Sequence, residues 1–313
     1  MEVLFTFVPK EHQQRMLEEE FPEVEFHFAY HDKSRLSKAE IIVTYGEDLT
    51  ADDIEEAANL KWIMVASAGV EKMPQKAILE KGIVVSNVKG IHKTPMAESV
   101  LAHLLAIKRS LPVIYEKQRQ KEWNRKIRSS ELAGSTALII GPGAIGCEIG
   151  RLLQAFGVST IGCNRSGKQA DYMDEMVPFE KLLDVLPKAD AVISVVPSTN
   201  ETKGMLTSEH FKAMKPDAIF MNFGRGDLVS DKVLIEALEN EEIAYAILDV
   251  FEQEPLPADH LLWEMENAVV SPHVSSHSGR YVERALEIFV PNLKKWLSKD
   301  TNPTNQVNME KGY

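Results

Sequence analysis

The feature that most limits what this chain can become is a rhythm. Short apolar runs, near-continuous rather than alternating, recur between amphipathic segments over most of its length. Runs that read as strands lie at residues 3–8, 41–45, 62–66 and 83–85. A second set lies at 137–140, 159–163, 191–196, 218–223, 244–250 and 268–270. A strand that is apolar on both faces has to be covered on both, as in a parallel sheet flanked by helices. Helical patterns at 53–58, 180–186 and 232–239 separate the runs. The alternation predicts a doubly wound α/β architecture.

The first set of strands ends near Val85. A long helical stretch follows at 97–121, interrupted at Pro112 and carrying an apolar face of Val100, Leu101, Leu104, Leu105 and Ile107. Residues 118–131 are strongly polar apart from Trp123 and read as a surface excursion. After Pro272 a last helix is expected at 278–297, then a polar tail. With 313 residues and about 100–200 per domain, two units are expected. One comprises 1–97 plus 281–313 and the other 98–280, with a ligand cleft between them.

Charge narrows the class of partner. Lys and Arg number 35 against 47 Asp and Glu, so the net charge is 35 − 47 = −12, unsuited to nucleic acid or anionic lipid. No run approaches the ~20 apolar residues of a membrane span, and the apolar N-terminal run is too short for a secretory signal. Two cysteines, Cys147 and Cys163, fit a reducing cytoplasm and read as inert packing. No His, Cys, Asp or Glu cluster has metal-ligand spacing, so no metal is expected.

The segment Ala137-Leu-Ile-Ile-Gly-Pro-Gly-Ala-Ile-Gly-Cys-Glu-Ile-Gly150 holds G-x-G-x-x-G as Gly141, Gly143 and Gly146. It leaves a predicted strand and opens a predicted helix that Gly157 ends, a βαβ unit of the length a dinucleotide-binding fingerprint requires. Gly141 permits the turn, Gly143 lets a pyrophosphate approach the backbone, and Gly146 lets helix and strand pack closely. The helix N-terminus offers N–H groups to the phosphates. At the next strand end, where an acid usually binds the adenosine ribose, the chain reads Cys163-Asn-Arg-Ser-Gly-Lys168. Arg165, Ser166 and Lys168 suit a 2′-phosphate, so NADP(H) is expected over NAD(H). The plainer reading is a solvated basic loop.

Three further blocks follow predicted strands: Gly224-Arg225-Gly226; Ile247-Leu-Asp-Val-Phe-Glu-Gln-Glu-Pro-Leu-Pro257; and Val270-Ser-Pro-His-Val-Ser-Ser276. The C-terminal edge of an open α/β sheet is where ligands bind, and this edge offers an Arg, a Glu and a His. Together with the glycine turn, with Ser67-Ala-Gly-Val70, and with Asn87-Val-Lys-Gly90 followed by Ala97-Glu98, the blocks resemble the D-isomer-specific 2-hydroxyacid dehydrogenase family over nearly the whole chain. The Asn-Arg-Ser-x-Lys loop is similar to its glyoxylate/hydroxypyruvate reductase branch.

That resemblance implies a flavodoxin-like substrate domain beside a Rossmann dinucleotide-binding domain, and reduction of a small 2-oxoacid to a D-2-hydroxyacid. It implies that Arg225 holds the substrate carboxylate and carbonyl oxygen, that His273 is the general acid/base, and that Glu254 pairs with His273 and favours its protonated form. Backbone N–H groups at Ala68, Gly69 and Val70 would bind the carboxylate. Gly141, Gly143, Ala144, Ile145, Gly146, Asn164, Arg165, Ser166, Lys168, Val196, Pro197, Phe223, Gly224, Asp249 and His273 would line the cofactor. Asp249 could equally be structural, and Ser67–Val70 a plain turn. His103 reads as packed or interfacial; His92 and His277 have no assigned role. A homodimer is implied, with the 97–121 face as a candidate contact unless it packs within one subunit. Two alternatives stay open: a dinucleotide-binding sensor acting through protein partners, and a phosphoglycerate dehydrogenase-like enzyme, which often carries an added regulatory domain. A formate dehydrogenase would need Gln where Glu254 stands.

Overall fold

Two parallel sheets organise the chain. The computed structural model describes residues 1–30, 33–67, 69–70 and 72–309. In chain order the first elements are β1 (Glu2–Phe5), α1 (Glu11–Glu20), β2 (Glu25–Phe28), β3 (Ile41–Thr44), α2 (Ala51–Glu56), β4 (Trp62–Val65), α3 (Gln75–Glu80) and β5 (Val84–Asn87). Then come α4 (Lys93–Lys108), α5 (Leu111–Arg119), β6 (Thr136–Ile140), α6 (Ala144–Ala155), β7 (Ser159–Asn164), β8 (Glu175–Pro178), α7 (Leu182–Val185), β9 (Ala191–Ser194), α8 (Ser208–Ala213), β10 (Ile219–Asn222), α9 (Asp231–Glu239), β11 (Tyr245–Leu248), β12 (Ala268–Val270) and α10 (Tyr281–Leu297). One compact unit is Met1–Ile91 with Ser278–Tyr313; the other is His92–His277.

In the first unit five parallel strands run in the order β2-β1-β3-β4-β5, the flavodoxin-like order with its reversal between β1 and β3. Val3 and Phe5 face one core with Ile41, Val43, Trp62 and Met64, while Leu4 faces a second with Ile42, Ile63 and Val65. Both faces are buried, hence the continuous apolar runs. Helix α10 closes the first face: Phe289 and Trp296 stack on Trp62 at 5.7 and 5.3 Å between ring centroids.

In the second unit seven parallel strands run β12-β11-β10-β9-β6-β7-β8, a Rossmann order with the reversal between β6 and β9. Leu138 and Ile140 face one core, Ala137 and Ile139 the other. Helix α4 packs on the latter, with Val100 and Leu104 buried beside Ile149 and Leu153 of α6. The apolar face of the 97–121 stretch is therefore largely used within the unit. That stretch breaks at Ser110, whose φ is +55°, two residues before the expected Pro112. Pro112 sits in the first turn of α5, where a missing N–H costs no helical bond.

Two strands escape the apolar-run criterion, β2 and β8. Both are edge strands, so they need no apolar cover on both faces, and β8 ends on Pro178, which an edge tolerates. The polar tail also contributes. Gln306 bridges Ser86 in antiparallel fashion, the Val307 N–H donates to the Val85 carbonyl at 2.8 Å, and Val307 and Met309 are buried.

Candidate active site

The three glycines of the turn stand in three different environments. Gly141 has φ +93°, and a Cβ there would lie 2.8 Å from Val196 Cγ1. A Cβ on Gly146 would meet the Gly141 carbonyl oxygen at 2.7 Å, so only glycine lets α6 approach β6 this closely. At Gly143 no described heavy atom lies within 4 Å of that position. Gly143 caps α6 with extended backbone, ahead of the Ala144, Ile145 and Gly146 amides, which have no partner within a helix. An anion could approach there without displacing protein. The turn thus fits a dinucleotide pyrophosphate.

The loops after β6, β7, β9 and β10 converge at backbone level. The Gly141 N–H donates to the Cys163 carbonyl at 2.9 Å. A Cβ on Gly224 would lie 2.5 Å from the Val196 carbonyl oxygen, so Val196 is sandwiched between Gly141 and Gly224, with Pro197 next along the loop. After β7, Asn164 shapes the basic loop: its Oδ1 accepts from the Ser166 N–H at 3.1 Å and its Nδ2 donates to the Lys168 carbonyl at 2.9 Å. Arg165 reaches across to the loop after β9, where its Nη2 lies 2.8 Å from Glu201 Oε1.

The register of β10, β11 and β12 aligns Asn222 with Leu248 and Leu248 with Val270, so the residues that follow emerge side by side. Asn222, buried at the end of β10, clamps the loop: its Oδ1 accepts from the Gly224 N–H at 3.1 Å and its Nδ2 donates to the Arg225 carbonyl at 2.9 Å. Gly226 lies against the next loop, where a Cβ would fall 1.9 Å from the Phe251 carbonyl oxygen. The Phe251 N–H donates to Glu254 Oε1 at 3.1 Å, and Glu254 Oε2 lies 2.8 Å from His273 Nδ1. Thus the backbone carrying Arg225 is joined through Phe251 to Glu254 and on to His273.

His273 has φ +55°, a left-handed conformation costly for a side-chain-bearing residue. Asp249 holds it there. Its buried carboxylate accepts from Ser271 Oγ at 2.6 Å, from the Val274 N–H at 3.0 Å, and from both the N–H and the hydroxyl of Ser275. These bonds bracket His273 on both sides. Of the two roles open to Asp249, cofactor contact or structure, its hydrogen bonds supply the second by bracing the histidine loop. The His103 ring, on α4, lies 6.1 Å from the Phe223 ring, and burial holds its pKa below the ordinary value against the opposing charge of Asp249.

Asn222, Ser271, Ser275 and Glu201 belong to this network although no role for them is expected from the sequence. Asn222 is signalled as the polar residue that ends the apolar run of β10, and Ser271 and Ser275 as the hydroxyl residues two positions either side of His273. Glu201 has no such signal, because its partner is 36 positions away (201 − 165). In the first unit, Ala68 lies outside the described residues. Gly69 and the buried Val70 follow β4, and the Gly69 carbonyl accepts from Ser67 Oγ at 3.0 Å. Burial raises the pKa of both thiols, that of Cys163 to about 12, so neither is an activated nucleophile. Glu2, Glu25 and His27 converge within 4.8 Å of one another because β1–β2 register sets Glu2 beside Glu25. His27 Nε2 lies 3.4 and 3.2 Å from the two carboxylates.

Residues 101–275 match the family described as D-isomer specific 2-hydroxyacid dehydrogenase, NAD binding domain. Among curated relatives, the D-3-phosphoglycerate dehydrogenase of Methanocaldococcus jannaschii is 34% identical over 86% of this chain, which spans 51% of that protein. The glyoxylate reductase of Korarchaeum cryptofilum is 32% identical over 84% of this chain and 81% of its own length. A crystal structure of a D-isomer specific 2-hydroxyacid dehydrogenase family protein from Aeromonas salmonicida subsp. salmonicida is similar over 98% of this chain and 99% of its own, at 30% identity and a TM-score of 0.87. No helix among the described residues is long and apolar enough to cross a membrane.

Proposed function

The chain belongs to the D-isomer-specific 2-hydroxyacid dehydrogenase family, and on that premise we propose that it reduces a small 2-oxoacid of the glyoxylate or hydroxypyruvate type to a D-2-hydroxyacid, with NADP(H) preferred over NAD(H). The observation that carries the chemistry is the 2.8 Å contact between His273 Nδ1 and Glu254 Oε2, with the other Glu254 oxygen anchored on the Phe251 N–H. Engaging Nδ1 directs Nε2 to the substrate. His273 then gives a proton to the carbonyl oxygen on reduction and takes it from the hydroxyl in reverse. Arg225 binds the carboxylate, for which its planar fork is suited, and Gly69 and Val70 supply backbone N–H groups to it. The bound nicotinamide supplies the hydride. Gly141, Gly143 and the first turn of α6 hold the pyrophosphate, and Arg165, Ser166 and Lys168 face the 2′-phosphate.

A phosphoglycerate dehydrogenase-like activity is the second reading, favoured by the similarity to the Methanocaldococcus jannaschii protein. The test follows loss of reduced-cofactor absorbance with NADPH and NADH separately against glyoxylate, hydroxypyruvate, pyruvate and 3-phosphohydroxypyruvate. Turnover of the first two that prefers NADPH and disappears in His273→Ala supports the proposal. Selective turnover of the phosphorylated substrate would replace it with the second reading.

The same proposal includes a homodimer in the reducing cytoplasm. Its support is α5, where none of the residues is buried, and the excursion after it, where Trp123 is 91% exposed. Such apolar exposure on one arm suits an interface. Light scattering that shows only monomer at micromolar concentration would remove the dimer.

A further inference from the structure

The Arg165–Glu201 pair has a consequence for cofactor choice that rests on the NADP(H) reading above. The acid usual at the end of the second Rossmann strand is missing from β7, yet a carboxylate stands beside the loop, delivered by the turn after β9. That turn builds itself. Thr202 Oγ1 donates to the Pro197 carbonyl at 2.6 Å and accepts from the Thr199 N–H at 2.9 Å, and the Glu201 N–H donates to Thr199 Oγ1 at 3.3 Å. The backbone that carries Glu201 is thus fixed by the side chains of Thr199 and Thr202, without Arg165. The turn begins at Pro197, directly after the Val196 that packs on Gly141, so it borders the dinucleotide turn.

We propose that Glu201 is a specificity-determining residue. Its carboxylate holds the Arg165 guanidinium until a 2′-phosphate replaces it as the partner of that cation, so the pair weakens discrimination against NAD(H). A 2′-phosphate must break the ion pair and settle near the displaced carboxylate. A neutral 2′-hydroxyl meets neither penalty. Arg165 is 77% and Glu201 48% exposed at the side chain, so the exchange occurs in solvent and its magnitude is that of a surface pair.

The test is calorimetric titration of the full chain with NADPH and with NADH, without substrate, at low ionic strength to limit screening. Glu201→Gln is expected to tighten NADPH by about two- to fivefold and leave NADH unchanged. Arg165→Ala is expected to weaken NADPH by roughly tenfold, the scale of a charge-assisted hydrogen-bond pair, and to spare NADH. If Arg165→Ala lowers the NADPH preference but Glu201→Gln leaves it unchanged or lowers it, Glu201 merely orients Arg165 and the inference is overturned while the loop reading stands. If Arg165→Ala leaves the preference untouched, the loop reading itself fails and takes the inference with it. Both side chains are exposed and the turn is held by Thr199 and Thr202, so both variants should fold.

Discussion

At the C-terminal edge of the seven-stranded sheet, polar side chains are engaged with the loops around them. Asn222 clamps the Gly224–Arg225 backbone, Asp249 brackets His273, and Glu254 joins Phe251 to His273. At the same edge of the five-stranded sheet Thr44 and Asn87 accept from N–H groups of their own loops, and rings are added: Phe7 stacks on Tyr45 at 4.4 Å, and Tyr45 lies 6.2 Å from Tyr281 at the start of α10. Two sheets of one architecture carry different materials at equivalent positions. Under the proposed function, the first arrangement fixes polar groups in advance of a reaction, which lowers the reorganisation a transition state would require. The second offers shape and apolar surface. Fold places the edges, and the loop residues decide what each edge can do.

The largest expected effect is at the polar edge. His273→Ala should lower kcat/KM by about 10²–10⁴, the range of a general acid/base, with little change in calorimetric NADPH affinity. Phe7→Leu, at the aromatic edge, should lower stability by about 1–2 kcal/mol and leave kcat within a few-fold. Equal losses of kcat in the two variants would collapse the distinction.

Next in size is the brace. Asp249→Ala strips the acceptor from Ser271, Val274 and Ser275 at once, and unpaired buried donors cost about 1–3 kcal/mol each. A loss of about 3 kcal/mol in urea unfolding is expected, together with reduced kcat, because the left-handed turn at His273 then keeps only the Glu254 contact and its own backbone bonds. Unchanged kcat in a folded variant would show that the histidine loop does not depend on Asp249.

Much of the fold is legible in the sequence because it depends on patterns that survive in one dimension. Central strands are apolar on both faces, so β6, β9, β10 and β11 stood out as runs. The glycine turn stood out because spacing and context agree. What escaped was set by partners distant in sequence. The edge strands β2 and β8 lack the second apolar face, and Val307 and Met309 are informative only once β5 is seen beside them. The site followed the same division. Arg225, Glu254 and His273 are suggested by their blocks and remain a proposal, whereas the bracing by Asp249 and the Arg165–Glu201 pair required the sheet order that brings separate loops together.

The two glycines that differ most in their surroundings separate packing from binding within the polar edge. Gly226→Ala places a methyl in the Phe251 backbone, which cannot yield as a side chain would, and should cost about 3 kcal/mol. Gly143→Ala meets open space and should leave the melting temperature nearly unchanged while weakening NADPH binding by roughly tenfold, since the methyl occupies the approach to the helix amides. If Gly143→Ala binds NADPH as the parent does, the pyrophosphate lies elsewhere.

The smallest effect concerns acid stability, in which the two units should behave alike despite their different edges. Burial pushes Asp53 of the first unit up, but Lys33 and Thr50 more than offset it. In the second unit burial likewise raises Asp190, and Lys215 with the Thr136 N–H more than offsets it. Both carboxyls therefore lie below the ordinary carboxylate value in the folded chain. A depressed folded pKa means that the unfolded chain takes up the proton first as pH falls. The stabilisation is complete above the ordinary value near 3.9 and is lost as pH drops through the lower folded value. Asp190→Asn should consequently be less stable than the parent at neutral pH, and the gap should close below about pH 4. Asp53→Asn should show the same closing gap. A difference that persists undiminished into acid would assign the loss to shape at these positions and not to charge.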